Sequence, residues 1–588
     1  MPQLTSEAHG EARAALVLAS EHLLALQQDE GWWRGELQTN VTMDAEDILL
    51  REFLGIRRAE ESERSAAWIR SQQRADGTWA NFHGGPGELS TTVEAYWALR
   101  LCGDPPDTGH MLAAAEFIRA EGGLERARVF THVWLALFGL WSWERVPALP
   151  PEVVLLPAWV PLNVYDFACW ARQTIVALSI VKAHRPVHPL PFDLGELRAD
   201  ARPPRAADAA PSLAGAPFAD GAASLAGAPF ADGTEPAAGD PVPWRGTWLG
   251  WLDRALRAYE RRPIAPLRRL ALARAERWIV RRQEADGSWG GIQPPWVYSL
   301  MALRLAGYPL EHPVMARGLL GLDGFMVEDR GEDDETGPPR PRPRRSHPSR
   351  PPGTPAVPSR RLEACQSPVW DTALAIVALA DAGVPADHPA MLAGARWLLE
   401  EEVTVRGDWA VRRPDVAPGG WAFEFANVNY PDVDDTAEVV LALLRLAGGP
   451  LDAPIEAALA RALDWVRGMQ SSGGGWGAFD ADNTRSLVRE LPFLDFGEVI
   501  DEPSADVTAH ALEMLAALGL SRTPAARDGL GWLLEHQEAD GSWFGRWGIN
   551  HVYGTGAVVP GLILAGLEPS HPSIRRAVAW LEGHQNED

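Results

Sequence analysis

Three aspartates, Asp432, Asp434 and Asp435, fall within four positions of the stretch NVNYPDVDDTAEVVLALLRLAGG (Asn427–Gly449), directly ahead of a run with almost no polar face. Three kinds of chemistry suit such a group. The first is helix capping. Asp435 followed by Glu438 three positions on has capping-box spacing, and acidic residues are favoured at a helix N-terminus by its partial positive charge. That accounts for one or two carboxylates and leaves the rest of the crowding unexplained, since like charges at this density repel. The second is a cation held against a diphosphate, as paired carboxylates can do. Adjacent Asp434 and Asp435 would diverge on a helix, and no glycine-rich phosphate loop accompanies them. The third is proton delivery. Carboxyls crowded into a dry pocket cannot all ionise, so at least one would keep its proton at neutral pH.

Two alternating helical patterns must position these groups. A Gln, a short polar turn, then Gly and Trp recur in QQRADGTW (Gln72–Trp79), QEADGSWG (Gln283–Gly290), QSSGGGWG (Gln470–Gly477) and QEADGSWF (Gln537–Phe544). A looser copy is QQDEGWW (Gln27–Trp33), and VRGDW (Val405–Trp409) reads as a decayed one. Each follows an amphipathic, Trp-containing helical pattern. A second, nearly all-apolar helix comes after each turn, opening on Ser, Thr or an acidic residue and stopping at Gly, as in Ser90–Gly103, Pro294–Gly307, Ser367–Gly383, Asp434–Gly449 and Ser504–Gly519. Such starts and stops are helix-boundary chemistry. Amphipathic helices outside and apolar helices inside describe an all-α fold of α/α toroids, with more than one toroid needed for 588 residues. The Gln-to-Trp turns are expected to be structural, the Gln bonding backbone at the next helix start and the Trp packing over the turn.

Two stretches stand outside the repeat. Residues 200–245 carry SLAGAPFADG twice, and residues 331–361 are rich in Pro and Arg. Both are expected to be disordered. The second divides the chain into halves at 1–330 and 362–588. The net charge of −25 argues against nucleic acid as a partner. Cys102, Cys169 and Cys365 are widely spaced, which fits a reducing compartment and neither a disulfide framework nor a zinc site. The first residues lack a basic segment followed by an apolar core, so a signal peptide is not expected. The most apolar run, Val153–Val181, is interrupted by two prolines, Asp166 and Arg172, and does not read as membrane-spanning; an apolar surface lying on a membrane remains compatible with it. Tryptophan is abundant at 26 residues, which fits both an obligate Trp in the repeat and an aromatic-lined cavity.

PDVDDTA, the repeated turns, QEADGSWGGIQPPWVYSL, SPVWDTALA, GEVIDEPSADVTAHALE and GRWGINHVYGTGAVV together resemble the bacterial squalene–hopene cyclases, from about Glu21 to the C-terminus. The resemblance implies two α/α barrels, with the first 37 or so residues packing on the C-terminal one, seated on the cytoplasmic leaflet of the cell membrane as a monotopic protein and compatible with a homodimer. It implies cyclisation of squalene to hopene or hopanol, an isomerase and hydro-lyase chemistry that uses no metal and no redox cofactor. Asp434 would be the proton donor, flanked by Asp432 and Asp435, with His510 as its hydrogen-bond partner and Asp506 one turn before it. The alternative for Asp506 and His510 is a plain helix-surface pair, which the apolar helix they sit on disfavours. The resemblance further implies cavity aromatics at Trp170, Trp370, Phe423, Phe479, Phe496, Trp547 and Tyr553. Termination and water binding would fall to Glu46, Glu94, Arg128, Trp134, Gln293, Pro294 and Tyr298, although Glu94 and Arg128 read equally as a buried ion pair. Phe167, Ile175 and Phe493 would form the substrate access channel.

The end of the chain, AVAWLEGHQNED (Ala577–Asp588), stops where Gly and Trp follow in other copies. The resemblance implies a further inner helix and an aromatic tail, so a truncated chain with its pocket open to water is expected. Alternatives are a cyclase of the same mechanism acting on another polyprenoid, and an inactive α/α-toroid binding protein.

Overall fold

A computed structural model of the protein describes residues 6–199, 248–329, 358–491, 493, 498–548 and 550–586. The expected insertion at 200–245, residues 331–357 of the expected linker, and Phe496 lie outside the described residues.

The apolar helices are the inner ones. In the second half of the chain Pro368–Asp381, Val433–Leu444, Ala505–Ala517 and His551–Leu564 pack side by side in chain order. Each is backed by the amphipathic helix that follows it: Pro389–Glu400, Asp452–Gly468, Pro524–Glu535 and Pro572–Gly583. In the first half the inner helices are Thr42–Leu54, Leu89–Cys102, Val129–Leu137, Cys169–His184 and Gln293–Leu305. The last of these packs against both Cys169–His184 and Thr42–Leu54, bringing the end of the series back to its beginning. The fold is therefore all-α, in two α/α units, each with its own core.

Those cores do not follow a simple cut in the sequence. Trp33 lies in the second core, and the first helix, Ser6–Ala25, packs on Pro368–Asp381. Conversely Val488, Phe493, Val499 and Ile500, from the second half of the chain, complete the first core. The expected disordered linker is also shorter at its far end. Ser359–Leu362 forms an antiparallel pair with Met326–Asp329, and Arg360 and Arg361 are buried, paired with Glu61 and Glu36 respectively. Basic residues that read as a solvated tail are held by carboxylates on neighbouring elements.

The Gln-to-Trp turn is a three-way tie. Gln27, Gln73, Gln283, Gln470 and Gln537 each donate from Nε2 to the carbonyl of the Gly four residues on. Each donates again to the second residue of the next outer helix: Ala390, His110, Val314, Ala525 and Ser573. The Trp indole reaches back ten residues to a carbonyl of its own outer helix, at 2.7–2.8 Å in Trp33, Trp79, Trp289, Trp476 and Trp543. The glycine is required because it sits at positive φ hard against the next outer helix. A Cβ on Gly31 would lie 2.7 Å from the Ala393 carbonyl oxygen. VRGDW is not the copy it resembled. The indole that ties the Pro389–Glu400 helix is Trp421, through the Leu398 carbonyl at 2.6 Å, whereas Trp409 is buried with its N–H unpartnered. A longer loop separates this outer helix from its tryptophan, which hides the spacing.

Candidate active site

Asp432 begins the helix Val433–Leu444 as its N-cap, with extended backbone and its Oδ1 accepting the Asp435 N–H at 2.7 Å. The sequence had suggested Asp435 for that role. Asp432 N–H donates to the Trp421 carbonyl, and Val433 N–H to the Ala478 carbonyl, so the first donors of the helix are spent on neighbouring loops. The phase of the helix is fixed by these bonds. It turns Asp434 toward the neighbouring inner helix Ala505–Ala517, where His510 Nδ1 lies 2.6 Å from Asp434 Oδ1. The two residues are 7 % and 8 % exposed.

Burial opposes the charged form of His510. The Asp434 carboxylate outweighs it and, with Glu438 and Asp506, pushes the ring up to about 10. Beside an ionised Asp434, the state left once a proton has been given up, His510 is thus an imidazolium at neutral pH, donating Nδ1–H to the carboxylate. Glu438, one turn along from Asp434, lies 3.8 Å from the same nitrogen; burial lifts it to about 7 against the pull of His510. Asp506 makes no direct hydrogen bond to His510. Its oxygens accept from Ser504 Oγ at 2.6 Å, the Val507 N–H at 3.1 Å and the Trp547 N–H at 2.7 Å. It fixes the loop carrying Trp547 and acts on His510 only through its charge. Burial raises Asp432 to about 8 and Asp435 well above the usual carboxylate range. Asp432 and Asp435, buried with no cation beside them among the described residues, hold their protons. Among the described residues no group of three His, Cys, Asp or Glu side chains is placed to hold a metal ion.

Two aromatic rings flank His510, and a further group lies nearby. Trp370 and Tyr553 stand 6.1 Å and 6.4 Å from the His510 ring. Trp170, Phe479 and Trp547 form a mutual edge-to-face group with centroids 5.5–6.0 Å apart. Arg546 covers two of its rings, Trp170 at 5.6 Å and Trp547 at 5.7 Å. Trp547, expected as cavity lining, is 40 % exposed. Phe423 is half-buried beside the acid-bearing loop. A separate cavity of about 1230 Å³ borders Trp170, Trp547, Arg489, Glu502 and Arg546, and neither Asp434 nor His510 lines it.

The residues expected at the terminating end also come together, in the first core. Trp134 Nε1 and Gln293 Nε2 donate to the two oxygens of Glu46, at 2.8 Å and 3.3 Å. Burial and the neighbouring Glu94 raise Glu46 to about 8. Thr131 donates to Glu94, whose other oxygen is 3.6 Å from Arg128. Tyr298 lies against Trp134 and stacks on Phe130. Pro294 occupies the first turn of the helix that starts at Gln293. Gln293 Oε1 and Glu94 Oε2 are buried without a hydrogen-bond partner. Phe167, Ile175 and Phe493 are all buried in this core, and Phe493 meets Phe130 edge-on at 6.4 Å.

Two residues escaped the sequence reading. Glu424 is buried against Gly291, accepts from Asn427 Nδ2 at 3.0 Å, and is raised to about 8 by burial. It sits in a loop with no periodicity to mark it. Arg172 is completely buried and bridges Asp480 at 2.7 Å and Asp408 at 3.4 Å across the two units. Its place in an apolar run was the one available signal.

Fold and site define a class: an all-α repeat protein whose inner helices present a buried carboxyl–imidazolium pair to a set of aromatic rings. Residues 16–331 match the family model of the squalene-hopene cyclase N-terminal domain and residues 366–588 that of its C-terminal domain. The chain belongs to the squalene–hopene cyclase family. It is 43 % identical over 573 residues to the squalene–hopene cyclase of Alicyclobacillus acidocaldarius, covering 96 % of this chain and 80 % of that protein. It is 38 % identical over 576 residues to that of Zymomonas mobilis, covering 97 % and 80 %. A dammaradiene synthase from Dryopteris crassirhizoma is 33 % identical over 590 residues, covering 97 % and 77 %.

Proposed function

We propose that this protein cyclises squalene to hopene by protonating a terminal alkene, with Asp434 as the acid. The observation that carries the assignment is the buried Asp434–His510 hydrogen bond of 2.6 Å. An alkene is a weak base, so the donor must be strong and shielded from water. His510, positively charged, stabilises the carboxylate that Asp434 becomes, which strengthens it as an acid. Asp434 gives its proton to the terminal carbon, and the π electron pair forms the new C–H bond. The cation then generated is attacked by successive double bonds. Trp170, Trp370, Phe479, Trp547 and Tyr553, and Phe423 beside them, supply negative ring faces without a nucleophile that would trap the cation. At the other end Glu46, Glu94, Arg128, Trp134, Gln293, Pro294 and Tyr298 form a polar wall. The unpartnered Oε1 of Gln293 is an acceptor for a water that takes the final proton or adds as hydroxyl, with Glu94 held nearby by its ion pair to Arg128. Phe167, Ile175 and Phe493 line the approach.

Incubation with squalene in detergent tests this. Product formation in Asp434→Asn should fall by at least about 10²-fold, and a chelator should leave the wild-type rate unchanged. Conversion that survives the substitution removes Asp434 from the acid's role.

We also place the protein on the cytoplasmic face of the cell membrane. Among the described residues no helix is long and apolar enough to cross a bilayer. Leu156 and Trp159, and Ile264, Leu267 and Leu270, are exposed next to the packed pair Pro151–Leu155 and Ala265–Val280, with Trp159 at 80 %. Apolar surface of this kind suits attachment to one leaflet. Co-sedimentation with anionic lipid vesicles should be lost on Trp159→Glu; unchanged sedimentation would move the contact elsewhere.

A further inference from the structure

Each turnover leaves Asp434 as a carboxylate that must be reloaded before the next substrate is protonated. Resting on the reading of Asp434 as the acid, we propose that Asp435, Asp432 and Glu424 form a file of carboxyls that returns a proton to Asp434, with Glu424 as its solvent-side member. Three observations carry this. First, Asp432, Asp435 and Glu424 are all buried, and among the described residues none is ion-paired to Lys, Arg or His. Buried carboxyls without a cation keep their protons, and burial accordingly raises all three. Second, Asp432 Oδ2, Asp435 Oδ1 and Asn427 Oδ1 are buried and unpartnered. Protonated carboxyls and orphaned acceptors together are the lining of a buried water site, which polar groups in this setting require. Third, Glu424 joins the cluster to the segment that follows the Gln283–Trp289 turn. Its side chain abuts Gly291, where a Cβ would fall 2.5 Å from the carboxyl carbon, and Asn427 holds its far oxygen. The next carboxyl along is Asp286, half-buried in the Gln283–Trp289 turn and electrostatically coupled to Glu424.

The proton count balances. The Asp434 carboxylate takes a proton from Asp435, directly or through a bound water. Asp435 is refilled from Asp432, Asp432 from Glu424, and Glu424 from solvent beside Asp286. One proton enters here for each one lost when the final cation is quenched. The groups that act on the file are Asp434 on the same helix, Asp286 from the turn of the other unit, the Cys169 and Cys365 thiols beside Glu424, and Tyr553 near Asp435; none of these is a cation, and His510, beyond them, is committed to Asp434.

The test separates reloading from the first proton transfer. With enzyme in excess over squalene, Glu424→Gln should convert a single equivalent at the wild-type rate. With substrate in excess it should show a burst of one product per enzyme, followed by a steady-state kcat lower by about tenfold or more. Glu424→Asp, which keeps a transferable proton, should recover much of that loss. Steady-state turnover unchanged in Glu424→Gln overturns the proposal, and so does an equal fall in both regimes, which marks mere structural support. Asp434→Asn distinguishes the underlying reading: it should abolish conversion in both regimes, and activity there would sink the acid assignment itself.

Discussion

Asp434 and His510 are 76 positions apart in the chain and 2.6 Å apart in space. The charge of His510 is held by that contact, which makes a sharp expectation. In Asp434→Asn the strongest upward pull is removed while burial remains, so His510 should titrate far below its native value of about 10. Histidine-selective NMR against pH reads this directly, and an unshifted His510 would show that another group holds its proton. The sign for stability follows. A raised imidazole contributes stability that is complete below the unfolded value near 6.5 and disappears as pH rises through about 10, so His510 keeps its charge at neutral pH. The sequence displayed the carboxylates but could not divide their labour. Asp432 and Asp435 are three apart, as are Asp435 and Glu438, so capping-box spacing fits two alternative helix starts. The bonds to the Trp421 and Ala478 carbonyls, made by distant loops, decide between them.

Helices here are held by their turns. Gln470→Ala removes two bonds, to the Gly474 and Ala525 carbonyls, and leaves part-buried acceptors behind. A loss of about 1–3 kcal/mol is expected on the usual worth of two such bonds. Trp476→Ala also opens a cavity between the Asp452–Gly468 helix and its neighbours, and should cost about 3–5 kcal/mol. Denaturant unfolding of both variants checks the order, and a Gln470→Ala loss equal to that of Trp476→Ala would mean that the hydrogen bonds, not the ring, dominate. The tie was legible in the sequence wherever the spacing was kept. Five copies reveal it through Gln, Gly and Trp alone. At Trp421 the loop is longer, the Gln is missing, and the nearer Trp409 offers a decoy with the right residue types. Local pattern cannot tell which indole reaches a carbonyl.

At the scale of the molecule, two cores are locked by buried charge. Arg172 on an inner helix of the first unit meets Asp480 and Asp408 of the second; Arg282 also grips Asp408, and Tyr430 donates to it at 2.6 Å. Nearby, Arg412 and Arg485 share Asp166 at 2.9 Å and 2.8 Å. Arg172→Met strands Asp480 without its counter-charge, a loss of about 3–5 kcal/mol on the pattern of broken buried pairs. The units should then melt in two resolved calorimetric transitions, and a single shifted transition would show that the apolar contacts alone keep them coupled. Nothing in the sequence announced these partners. They lie 236 and 308 positions from Arg172, and each Asp taken alone reads as a loop residue. Fold class and repeat were visible because they are periodic, whereas the clamp is a meeting of singular residues.

The Gln-to-Trp tie has one more property. Every acceptor that its Gln and Trp side chains use at its five full copies is a main-chain carbonyl. A carbonyl is supplied by any amino acid, so the hydrogen bonds place no demand on residue identity; the ring does, since a Cβ on Gly394, Gly318 or Gly529 of the outer helices would fall 2.9, 3.1 or 2.7 Å from Trp33, Trp289 or Trp476. The scaffold can therefore accept drift over its outer helices wherever the small residue beneath the ring is kept, while the inner faces that carry Asp434 and His510 are left to be tuned by chemistry.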